Sequence, residues 1–295
     1  MHVSRDSSRR WSRTLLAAAL LGIAVPITAA AITQNPASAA PAPAGLDHFL
    51  CYHATALPGV PPLKAPPGVK LVDQFSPLNS KGVPTPFTAR FGVVTSHCNP
   101  ALKVVDLPAG PAQYPPLSPD WHLLCLHITT NQTTAVHVVQ VSNQFGTANL
   151  DTKAPTQFCL PSLKSLATPP VFKPPAAGEK QPDHFTCYPV TYDPNTPSRF
   201  VPPGPVLAGD QFNGFNPVPI KVITPARLCL PTQKTINGVV TPITNPAAHL
   251  LCFTIKSPEP PYTGTVWDQN QFGVAGITVG PVNQLCLPSF KTIIK

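Results

Sequence analysis

The chain carries little charge. Only 11% of its 295 residues are Asp, Glu, Lys or Arg, against roughly 25% in an ordinary soluble domain. Just 12 of them are acidic. A glycosidase needs two carboxylates flanking the bond it cuts, and no spacing here nominates a pair. G-x-S-x-G, H-E-x-x-H and the P-loop are all missing. The basic residues number 20, but four arginines fall in the first 40 residues and the others are scattered singly. That pattern lacks the basic patch nucleic acid requires. After residue 40, no apolar stretch approaches the roughly 18 residues of a spanning helix. No cofactor is indicated and no catalytic residue is nominated.

Proline, by contrast, is abundant at 42 residues. It removes a backbone donor and clashes inside helices, so its spread argues for strands and turns. Residues 1–40 read as an export signal. Arg5, Arg9, Arg10 and Arg13 precede the apolar run Leu15 to Val25, and Ala37-Ser38-Ala39 follows as a cleavage site. Arg9-Arg10 keeps twin-arginine export open beside the general secretory route. A secreted or extracellular location is expected, without a membrane span once the signal is removed.

One unit occurs four times. It opens on His-x-x-Cys, with His48, His122, His184 and His249 preceding Cys51, Cys125, Cys187 and Cys252. Gln-Phe follows as Gln74-Phe75, Gln144-Phe145, Gln211-Phe212 and Gln271-Phe272. Each unit closes on Cys-x-Pro-x-x-Lys at Cys98, Cys159, Cys229 and Cys286, with Lys103, Lys164, Lys234 and Lys291. The modules run 47–103, 121–164, 183–234 and 248–291. Odd modules carry Asp-Gln-Phe and even modules Asn-Gln-Phe-Gly. That alternation, with the Pro-rich linker at 165–182, predicts two tandem domains, 47–164 and 183–291. The expected class is all-β. Each domain is sandwich- or barrel-like, disulfide-linked, and built from a duplicated module of three to four short strands. A four-bladed propeller is the rival, and the linker weighs against it.

Eight cysteines at repeated spacings in an exported chain imply disulfides. The repeat favours pairing within each module: Cys51–Cys98, Cys125–Cys159, Cys187–Cys229 and Cys252–Cys286. Cross-module pairing inside a domain is the alternative. A metal site at His-x-x-Cys is disfavoured, because residues three apart on a strand point to opposite faces. The four histidines are expected to anchor the first strand of each module by a hydrogen bond. The phenylalanines are expected to fill the module core, and the glutamines to bond to backbone. The proline of Cys-x-Pro is expected to end a strand, with the lysine solvated in the turn beyond. His127 and His137 are candidates to face each other across a hairpin. Trp121, Trp267 and Tyr262 are candidates for an aromatic platform.

The string D-H-F-x-C-Y … D-Q-F … L-C-x-P, then H-L-x-C … N-Q-F-G … L-C-x-P-S-x-K, resembles a tandem-repeat domain of exported bacterial proteins without an assigned function. The resemblance covers nearly all of 47–164 and 183–291. It implies export and two domains, and it transfers no catalytic or ligand residues. Module one departs from it at His97 and Asn99, on either side of Cys98. The functional expectation is a binding or structural role at the cell surface or outside the cell, toward an unknown extracellular or cell-wall ligand. A secreted hydrolase using single-copy loop residues is the alternative.

Overall fold

Four residues of each motif run, such as Phe49-Leu50-Cys51-Tyr52, are buried without alternation. A strand buried this way must be covered on both faces. The computed structural model, which describes residues 45–107, 109–132 and 137–294, shows how. Residues 1–40, read as the export signal, lie outside the described residues.

Module one supplies β1 (Phe49–Ala56), β2 (Val69–Val72), β3 (Phe87–Pro100) and β4 (Leu102–Val105), followed by β5 (Ala112–Tyr114). Module two supplies β6 (His122–Thr130), β7 (Val138–Asn143), β8 (Gly146–Thr152) and β9 (Gln157–Ser165). Module three supplies β10 (His184–Tyr192), β11 (Val206–Gly209), β12 (Val218–Ile236) and β13 (Val239–Thr241). Module four supplies β14 (His249–Lys256), β15 (Thr265–Asn270) and β16 (Gly273–Ile293). The all-β expectation holds. Among the described residues the helical content is one 3₁₀ turn, Gln211–Asn213.

The first and last strands of each module pair antiparallel: β1 with β3, β6 with β9, β10 with β12, and β14 with β16. Neighbouring modules then join through β3–β6, β9–β10, β12–β14 and β16–β1. Those pairings close a circuit of eight antiparallel strands, which is a barrel and leaves no edge. The expected division into two tandem domains is not found. The described residues fall in one compact unit, and both ends of each half pair with the other half. A half has two open strand edges, and only the other half supplies their partners. The 165–182 segment is fastened to this body, with Lys180 N donating to Ser118 Oγ and Trp267 Nε1 donating to Thr168 Oγ1.

Each disulfide joins directly opposed residues. Cys51 faces Cys98, Cys125 faces Cys159, Cys187 faces Cys229, and Cys252 faces Cys286. All four bonds are formed within modules. The paired Cα atoms lie 3.8–4.0 Å apart, close to the spacing of a non-hydrogen-bonded pair. The side chains two residues away share the cysteine face. Phe49, Leu123, Phe185 and Leu250 therefore join all eight cysteines in one apolar cluster. That cluster fills the barrel, leaving a space of only about 10 Å³ between the sulfurs. The alternate residues, including Leu50, Tyr52, Leu124, Leu126, Leu251 and Phe253, belong to a larger outer cluster.

The outer cluster is covered by arms. β2 pairs with β12, β11 with β4, β7 with β16, and β15 with β9. Each arm thus lies on the module two places round the ring. Pro161, Pro231 and Pro288 do not end their strands as expected; β9, β12 and β16 run through them. They sit two residues beyond the cysteine, again at a non-hydrogen-bonded position. Pairing with the next module has stopped by then, at Cys159↔Phe185, Cys229↔Leu250 and Cys286↔Phe49. The missing N–H costs the ladder nothing there.

Candidate functional site

The Gln-Phe positions are set by one local device. Asp73, Asn143, Asp210 and Asn270 each accept, through the side-chain oxygen, the backbone N–H two residues on, always at 2.8 Å. This Asx-turn fixes the bend at the arm tip. In the even modules Gly146 and Gly273 complete it with φ of 109° and 115°, a region open to glycine alone. The turn directs each glutamine toward the preceding module of the ring.

Four quasi-equivalent junctions result. Gln144 Oε1 accepts from Lys103 Nζ and lies 3.2 Å from His48 Nε2. Gln211 Oε1 lies 3.0 Å from His122 Nε2. Gln271 Oε1 accepts from Lys234 Nζ, which also lies 3.1 Å from His184 Nε2. Gln74 Oε1 lies 3.1 Å from His249 Nε2, closing the ring from module one to module four. Gln211 and Gln74 also donate to the backbone carbonyls of Pro119 and Pro246. His122 and His249 each approach the carbonyl two residues upstream at 3.0 Å through Nδ1. Phe75 and Phe145 are buried, and Phe212 and Phe272 pack half-buried against the outer cluster. Each phenylalanine faces a lysine: Lys291, Lys103, Lys164 and Lys234 respectively.

Two of the lysines are buried rather than solvated, and Lys164 and Lys291 are half-buried. Lys103 is 0% and Lys234 1% exposed. The outer arms cover them, and glutamine oxygens and aromatic faces replace water. Burial pushes Lys103 down to about 7 and Lys234 to about 8. Burial also lowers Lys164 and Lys291 to about 8, against the opposing pull of Asp210 and Asp268 on the first and Asp73 on the second. Burial holds the histidines neutral, with His184 near 3, His249 near 4, and His48 and His122 well below the ordinary value.

A second layer of contacts links opposite modules. Asp73 Oδ2 accepts from the Tyr188 hydroxyl at 2.7 Å, and Asp210 Oδ2 from the Tyr52 hydroxyl at 3.0 Å. Asn143 donates to Ser289, and Asn270 to Ser162. One cluster occurs a single time. His97 Nδ1 donates to Asp268 Oδ2 at 2.9 Å, and its Nε2 lies 2.8 Å from Asn99 Oδ1. Asn99 receives Lys164 Nζ and donates to Asp210. His97, Asn99, Asp210 and Asp268 are all fully buried. The sequence signal for this network was the departure of module one from the repeat.

Other candidates are not brought together. β6 pairs with β3 and β9, and β7 with β8 and β16. The hairpin meant to bring His127 opposite His137 therefore does not form. His137 stacks on Phe75 instead. Tyr262 stacks on Phe212 and Trp267 lies against Gly276, away from any shared platform. Among the described residues no group of three or more His, Cys, Asp or Glu is placed to hold a metal, and no helix is long and apolar enough to cross a membrane.

On the surface, Thr88, Arg90, Thr129, Thr130 and Asn131 line a groove of about 450 Å³ along the β3–β6 pair. The register places Arg90 opposite Thr129 and Ala89 opposite Thr130. Hydroxyls, an amide and one guanidinium face a common space there. A second cavity, of about 360 Å³, lies at the cluster end marked by Leu46, Asp183, Phe185 and Ala248. Comparison with protein-family models, curated proteins and solved structures gives no match.

Proposed function

We propose that the chain is an exported repeat protein serving as a covalently locked binding or structural body outside the cytoplasmic membrane, with extracellular or cell-wall polysaccharide as its ligand class. The observation that carries this reading is the set of four disulfides lining one barrel. Such bonds form and persist in an oxidising compartment. The strongly shifted lysines and histidines are engaged in joining modules, which supports a scaffold over catalysis by the repeated residues. The β3–β6 groove supplies the donors and acceptors that sugar hydroxyls require, and Arg90 suits a carboxylate-bearing sugar.

The test is a glycan and cell-wall binding array on purified mature protein, alongside Arg90→Ala and Thr129→Val variants. Binding reduced by both substitutions is the expected result. No retention on any glycan or wall preparation, or release of shortened sugars during incubation, would overturn the reading.

A further inference from the structure

Two of the four junctions hold an amine against a carboxamide, and the first does so in a dry setting. Lys103 is fully buried, Gln144 is 7% exposed, and His48 is 6% exposed. Lys103 Nζ donates to Gln144 Oε1, one bond from the carbonyl carbon. The rings of Tyr114 and Phe145 cover the amine at 4.3 and 5.4 Å. Lys234 makes the same contact with Gln271, although Gln271 is exposed and His184 stands beside the amine rather than the carboxamide oxygen. Desolvation favours the neutral, nucleophilic form of a lysine, and burial alone accounts for the lowered affinity of both amines for a proton. The even modules differ. Lys164 donates to Asn99 within reach of Asp210 and Asp268, and Lys291 is drawn to Asp73. Those lysines keep a counter-charge.

We propose that Lys103 and Gln144 join in an intramolecular isopeptide bond, formed by the folded protein itself, with Lys234 and Gln271 as the quasi-equivalent second site. The lone pair of Lys103 Nζ attacks Gln144 Cδ, and a C–N bond forms. His48 Nε2–H, 3.2 Å from Oε1, stabilises the negative charge that develops on that oxygen. A proton leaves the attacking nitrogen and is delivered to the departing one. The original C–N bond of the carboxamide breaks, and ammonia leaves. One amide replaces another, so no oxidant, metal or water is consumed. Holding the two groups together supplies the proximity that makes a weak electrophile reactive, and dilution of ammonia draws the exchange forward. The product ties module one to module two, and its counterpart ties module three to module four.

The test is the intact mass of the purified mature protein after full reduction and alkylation, followed by tryptic mapping. The expected mass lies below that of the sequence by one ammonia per bond formed. Trypsin is expected to leave Lys103 uncut and joined to the peptide that holds Gln144. Lys103→Arg and Gln144→Asn each restore one ammonia, and His48→Phe slows closure. A mass equal to the sequence, with normal cleavage after Lys103, overturns the proposal. A deficit mapped only to Lys164, Lys291 or Lys234 overturns the assignment to Lys103. This readout is independent of sugar binding.

Discussion

The hydroxyl of Tyr188 donates to Asp73 Oδ2 at 2.7 Å, joining residues 115 positions apart in sequence. Tyr188 stands next to Cys187 in module three, and Asp73 forms the Asx-turn of module one. The mirror contact runs from Tyr52 to Asp210. Opposite quarters of the ring thus exchange the same bond, and neither half owns a finished core.

From this, residues 47–164 or 183–291 expressed alone are expected to stay unfolded. Each half exposes the strand edges that β9–β10 and β16–β1 cover in the whole chain. Circular dichroism and amide dispersion check this. A cooperative thermal transition in either isolated half would contradict it.

Replacing His97 by Leu, the residue type the motif expects there, is expected to destabilise the protein by about 3–5 kcal/mol. It leaves the Asp268 carboxylate buried without its partner. Combining it with Asp268→Ala is expected to recover part of the loss. Denaturant unfolding of both singles and the double gives the coupling energy directly.

Loss of one bridge through Cys125→Ser with Cys159→Ser is expected to cost roughly 3–4 kcal/mol, in line with a closed loop of 34 residues separation. The other three bridges are expected to form normally, because none shares a cysteine with it. Disulfide mapping and urea midpoints check both parts.

Stability is also expected to depend on pH through Lys291 and Asp73. Lys291 is lowered to about 8 from an ordinary 10.5, so the folded state holds its proton less tightly than the unfolded chain. The penalty is full below about pH 8 and fades toward 10.5, so stability rises across that window. Asp73 is raised to about 6 from 3.8, so its contribution falls as pH climbs from about 4 to 6. Thermal melts of Lys291→Met should show a shallower rise above pH 8 than the parent. An unchanged slope would contradict the assignment.

Much of the local architecture was legible in the sequence. Repeated spacing gave the modules, and the register Cys51↔Cys98 bears out pairing inside a module. The Asx-turn was latent in Asp/Asn-Gln-Phe. The closure was not legible. The segment 165–182 has the composition of an interdomain linker, yet it connects β9 to its immediate neighbour β10. A loose tether and a crossover of this length carry the same local signals. The lysines misled for a related reason. The acceptor of Lys103 is Gln144, 41 positions away in the next module, which no local signal around Lys103 indicates. His97 and Asn99 stood out as departures from the repeat, but Asp268 and Asp210, which give them meaning, lie 171 and 111 residues away.

The pairing of β1 with β16 has a temporal consequence. A chain made from its N-terminus delivers Cys51 well before Cys286, with 235 positions between them. β1 must therefore wait, with one flank bare, until β16 has been made. Contacts of such long sequence separation make folding slow and leave its early stages exposed to misassociation. Closure of the circuit waits on this last strand, and any product cut short before β16 leaves β1 with one flank unpaired.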